Sequence, residues 1–291
     1  MPWTEHPKVA ALRRQNRFVN VVVETADGFR RHLTGRNGAV LTYYGFLTLF
    51  PLFLVASTVL GFVLEGDPEL RDDMVDSAIS QVPFIGDQIA SDRIGGSWLA
   101  LIVGLTAALW GSSKAFIGLQ TAYDDSWEVP LDDRSSFVTR RVRAFVGLAV
   151  IGSSQIGTVA LAAVVDQVAL PRIGQILIVL GGLGINVGVS ATMYRFLTAA
   201  ETTWRIVWPG AVFTGVLYTA LQFAGTALTR RMLQSADTYG DFAGVLALLS
   251  WLSLHAIINL FGAEINGARR RLGDDNDRSS PRSVDPAAAE I

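Results

Sequence analysis

Six apolar runs, at residues 39–64, 97–121, 144–165, 173–194, 206–229 and 242–263, constrain this chain more than any other feature. Each is longer than the ~20 residues that a helix rising ~1.5 Å per residue needs to cross a ~30 Å hydrocarbon layer. Inside that layer no water bonds the backbone, so only a helix, which satisfies its own N–H and C=O groups, crosses as a single segment. Lys114 is the one permanently charged side chain within the six runs. The expected fold is therefore all-α: an integral membrane bundle of six transmembrane helices, preceded by an amphipathic helix and carrying a short helix in its first external loop.

Composition agrees. Half of the 291 residues are hydrophobic and 17% are charged, against ~25% charged in an ordinary soluble domain. With no cysteine, disulfides, thiolate metal sites and cysteine nucleophiles are excluded. The first apolar run far exceeds the ~7–15-residue core of a signal peptide, so it is expected to stay as a membrane helix.

Basic residues alternate between the loops. The segment before the first run holds seven, and the later even-numbered loops and the tail bring that side to 18, against 5 on the other. The first external loop sets only Arg71 and Arg93 among eight acids. The positive-inside rule then places both termini in the cytoplasm, in a bacterial plasma membrane crossed several times.

Three regions follow: a cytoplasmic N-terminal region at 1–38, a six-span membrane domain at 39–272 and a disordered cytoplasmic tail at 273–291, polar and without apolar period. Within the first, 11–33 reads as one basic amphipathic helix, with Leu12, Val19, Val22, Val23, Ala26 and Phe29 on one side. It either lies on the inner leaflet through its arginines or packs on the bundle. In the first external loop, Asp67, Pro68 and Glu69 have the grammar of a helix start, and Pro83 and Gly86 that of a stop. Gly147, Gly157, Gly181, Gly184, Gly188, Gly210 and Gly215 read as positions of close helix packing.

Candidate functional residues come from polarity inside the spans, where an ionisable group is costly. Lys114 in the second run and Glu264 just past the sixth should lie at similar depth, within reach if their helices are neighbours. Arg195 and Glu201 share that level with Asp124 and Asp125, while Asn259 and Asn266 add rungs to a polar stripe that begins at His255. Pro51 frees a carbonyl in the first span and should kink or break that helix. The functional reading is a polar path for an anionic, lipid-like substrate lined by Lys114, Arg195, Glu264, Asn259 and Asn266, with Pro51 supplying a bend. The structural reading is that Lys114 snorkels to the interface and that the rest mark helix ends.

No enzyme constellation is visible. His6, His32 and His255 are scattered, and there is neither a phosphate-binding glycine loop nor a Gly-x-Ser-x-Gly elbow. No cofactor is implied. The basic residues flank spans and lack an aromatic platform, so nucleic acid is not an expected partner, whereas membrane lipids are.

Two stretches carry a resemblance. One is LTYYGFLTLFPLFLV at 41–55; the other is WPGAVFTGVLY at 208–218, followed by YGDFAGVLALLSWLSLHAIINLFGAEIN at 239–266. Together with six runs in matching order, they make the chain resemble the YihY/BrkB family of bacterial inner-membrane proteins over about residues 20–272, a family formerly mislabelled as ribonuclease BN. His255 departs from the family pattern. The resemblance implies an all-helical integral membrane protein associated with movement of lipids or lipid-linked molecules, or with envelope resistance. The runner-up function is a non-transporting membrane scaffold, and a ribonuclease ranks last.

Overall fold

A computed structural model describes residues 6–63, 98–166, 171–234 and 242–279, and among these the chain forms eight α-helices. They are α1 (Pro7–Gln15), α2 (Arg17–Arg31), α3 (Thr34–Val63), α4 (Trp98–Ser126), α5 (Phe137–Asp166), α6 (Pro171–Phe196), α7 (Trp204–Gln234) and α8 (Phe242–Ser279). A 3-10 turn at Leu131–Asp133 joins α4 to α5. The helix anticipated at residues 67–86 lies outside the described residues.

The amphipathic segment is two helices rather than one. Asn16 adopts an extended backbone (φ −140°, ψ 115°), and its side chain accepts from the Phe18 N–H at 2.8 Å. An asparagine N-cap thus ends α1 and starts α2 at one residue. The C-terminal region also differs from expectation: α8 runs on to Ser279, so the first residues of the supposed tail are helical. Pro51 does not break α3, which continues through it to Val63.

Among the described residues, four helices are long and apolar enough to cross a membrane, with spans at Leu101–Ser126, Ile176–Phe196, Trp204–Gly225 and Gly244–Gly273. Outward faces are apolar, as at Ile102, Ile176, Val216 and Phe223, which is what lipid rather than water favours. Helix α8 is central, packing against α2, α3 and α7, while α3 lies along α4 and α6 between α5 and α7.

Small residues set the tightest crossing. A Cβ on Gly210 of α7 would strike the Gly262 carbonyl and the Asn266 side chain of α8, so the two backbones meet only without side chains there. Gly147 and Gly215 are similarly close to Phe116 and Val187, in line with the sequence reading. Gly157, Gly184 and Gly188 are not: no atom beyond their own stretch of helix backbone lies within 4 Å of the Cβ they lack.

Contacts gather the arginine-rich segments at one end. The start of α3 and the end of α4 meet α8 at Glu264, and Arg143 of α5 donates to the Thr198 carbonyl beyond α6.

Candidate functional site

The site is built where two helices end on unusual residues. Leu33 and Glu128 both have φ of 53°, the positive-φ non-glycine residues among those described. In Leu33 this conformation lets α3 start directly after α2. In Glu128 it closes α4: Val129 N–H donates to the Asp124 carbonyl at 2.9 Å and Glu128 N–H to that of Asp125 at 3.0 Å. That is a Schellman ending with glutamate where glycine is usual, and the left-handed backbone costs about 1–2 kcal/mol. Such strain clusters at functional sites, and both residues line one open pocket of about 450 Å³.

Three arginines line it as well, Arg31, Arg36 and Arg134, with His32 and the acids Asp125 and Glu128. Arg134 pairs with Asp125 at 2.8 Å and Arg31 with Glu128 at 3.2 Å. Arg36, exposed, has no ion pair among the described residues, so the pocket keeps an excess of positive charge.

His32 links this pocket to the interior. Its Nε2 lies 3.5 Å from Glu128, and its Nδ1 lies 2.9 and 3.1 Å from the two carboxylate oxygens of Glu264. Glu264 is fully buried and also accepts from the Thr34 hydroxyl at 2.8 Å and the Ser126 hydroxyl at 3.1 Å. A Cβ on Gly28 would meet the same carboxylate, so α2 approaches it closely by lacking a side chain there. One acid thereby ties α2, α3 and α4 to α8. Alongside, Glu24 of α2 accepts from Arg13, Arg31 and Arg271 at 3.0, 3.2 and 3.1 Å. Arg271 reaches on to the Ser126 carbonyl at 3.0 Å.

The sequence candidates separate. Glu264 sits at the centre of the cluster, but Lys114 does not meet it: the ammonium lies 5.4 Å from the Trp110 ring. Arg195 stacks on Trp204 and Phe196, 4.6 and 5.6 Å from their centroids. Asn266, fully buried, accepts from Gly210 N–H at 2.8 Å and donates to the Val207 carbonyl at 3.1 Å, fastening the start of α7 to α8. Asn259 accepts from the Tyr123 hydroxyl at 2.6 Å, while the Tyr194 hydroxyl donates to its carbonyl at 2.6 Å. Pro51 lies in α3, away from these groups in sequence and half-buried.

Asp124 is buried, accepting from the Thr198 hydroxyl at 2.9 Å and the Ala199 N–H at 2.7 Å. Asp124→Ala strands both donors and should cost about 2 kcal/mol, read as a lower unfolding temperature in detergent. An unchanged midpoint would remove Asp124 from the determinants of this loop.

Sequence reasoning missed His32, Arg36, Glu128, Arg134 and Arg271. Nothing in their spacing signals the pocket, because leucine and glutamate do not advertise a left-handed backbone.

Membrane-crossing helices whose charged ends converge on a sealed carboxylate define a polytopic helical membrane protein. The chain belongs to the family whose model is described as Virulence factor BrkB, which matches residues 25–285. It is 26% identical over 278 residues to the ribonuclease-like protein YfkH of Bacillus subtilis (strain 168), covering 87% of this chain and 97% of that one. It is 25% identical over 136 residues to the inner membrane protein YhjD of Escherichia coli (strain K12), covering 44% of this chain and 40% of that one. A UPF0761 membrane protein of Alkalilimnicola ehrlichii is 24% identical over 265 residues, covering 86% of this chain and 58% of that one. No solved structure matches. The family assignment agrees with the resemblance carried by 41–55 and 208–266. Among the described residues no three His, Cys, Asp or Glu gather as a metal site.

Proposed function

We propose that this chain is a six-span protein of the bacterial plasma membrane, with both termini in the cytoplasm, that moves or helps to move an amphipathic anionic substrate resembling a lipid. The observation that carries the reading is the arginine-lined pocket joined through His32 to buried Glu264. Arg36 and Arg134 would meet the anionic group at the surface, and exposed Leu33 and Leu131 at the rim would meet its apolar part. A buried carboxylate within a membrane helix marks a functional site by default.

The test is reconstitution in vesicles holding a fluorescent anionic phospholipid, with chemical bleaching of the outer leaflet. Wild-type protein should speed exchange between leaflets, and Arg36→Gln should slow it about tenfold, the equivalent of ~1.4 kcal/mol. Exchange no faster than in protein-free vesicles would end the transport reading.

A second reading, a non-transporting scaffold, draws on Asn259 and Asn266, whose side chains are committed to bonds that hold helices together. Lipid binding at the pocket without any exchange would favour it.

A further inference from the structure

Away from the pocket, two cations share one aromatic ring on the outer face where α4 and α5 meet. Lys114 Nζ and the Arg141 guanidinium carbon each lie 5.4 Å from the Trp110 ring centroid, and Arg141 also lies 5.0 Å from that of Phe137. Neither cation has an ion-pair partner among the described residues, and Arg141 Nε is buried without an acceptor. Trp110 and Phe137 are 59% and 70% exposed.

The surroundings are apolar. Val138, Val142 and Phe145, at helical spacing i, i+4 and i+7 on α5, form an exposed stripe that runs past Arg141. Lys114 stands inside the span Leu101–Ser126, twelve residues before its end. A charge at that depth is costly, and a cation–π contact recovers only part of the cost. Placing two like charges on one ring adds repulsion. Both costs fall if an anion enters from the lipid side.

We propose that Trp110, Lys114, Phe137 and Arg141 form a lateral site for one anionic phospholipid, its phosphate between the two cations and an acyl chain along Val138, Val142 and Phe145. Two positive charges without a neighbouring carboxylate select an anionic lipid over a zwitterionic one. The stripe selects a lipid over a free anion. The site stands apart from the pocket and needs no movement of substrate.

Full-length protein in nanodiscs of phosphatidylcholine containing brominated phosphatidylglycerol, or brominated phosphatidylcholine instead, tests this through the Trp110 component of fluorescence, obtained by difference from Trp110→Phe. Brominated phosphatidylglycerol should quench that component preferentially, and Lys114→Gln with Arg141→Gln should reduce the preference about tenfold. Lys114→Arg with Arg141→Lys keeps both charges and should retain it, which separates loss of the site from loss of the fold. Equal quenching by both lipids in the wild type, or a preference that survives neutralisation, overturns the proposal. So does inorganic phosphate in detergent shifting the same fluorescence component to the same extent, because a free anion would then be the ligand.

Discussion

Glu264→Ala should lower stability by about 3–5 kcal/mol, because each buried donor left without its acceptor costs about 1–3 kcal/mol. The reason is the number of groups it leaves at once: the His32 ring and the buried Thr34 hydroxyl lose their acceptor, and the Ser126 hydroxyl is left with the Ala122 carbonyl alone. Glu264→Gln keeps the shape and one acceptor oxygen, and should cost only about 1–2 kcal/mol. Thermal unfolding in detergent reads both. The alanine variant should also loosen α2 on the bundle, because Gly28 packs against the Glu264 carboxylate, and limited trypsin digestion at exposed Arg30 and Arg31 should accelerate. If the alanine variant melts with the wild type and resists trypsin equally, this junction does not hold the helices.

Gly210→Ala should have the second-largest effect, about 3 kcal/mol, at the upper end of what an added methyl costs in a packed interior. The new carbon meets the Gly262 carbonyl, a backbone atom that no rotamer change moves aside, together with the Asn266 side chain. Moving α7 away would also stretch the bond from Gly210 N–H to Asn266. Gly184→Ala is the control, since the space beside that glycine is open, and it should be close to neutral. Equal unfolding temperatures for the two variants would show that α7 and α8 do not depend on bare backbone contact.

Much of the architecture could be read in advance, because lipid imposes one physical demand that the apolar runs announce. The described part of each of the six runs falls within a helix at least 26 residues long. Helix ends were less legible. Hydropathy reports only the part immersed in lipid, so α3 starts at Thr34 and α8 ends at Ser279, both through polar turns that helices tolerate equally well. The break at Asn16 carried a usable signal, an asparagine cap inside an otherwise continuous amphipathic pattern.

For the site, the cost of burying charge singled out Glu264, which is buried, but not its company. Its partners come from three helices distant in sequence, and His32 looked like an isolated imidazole until the turn at Leu33 placed it. Asn259 and Asn266 were legible as a polar stripe. Their task, satisfying backbone and tyrosine groups across helices, depends on neighbours that no periodicity encodes.

At 38 residues, α8 is about 57 Å long, nearly twice the thickness of the hydrocarbon layer. Such a rod works as a lever. With the membrane as fulcrum, a tilt of about 10° in the lipid-immersed half swings Arg271, about 16 Å beyond the midpoint of α8, by roughly 3 Å, which is enough to stretch its 3.1 Å bond to Glu24 past hydrogen-bonding distance. Small changes in bilayer thickness or lateral pressure are thus magnified at the end where the arginines and acids interlock.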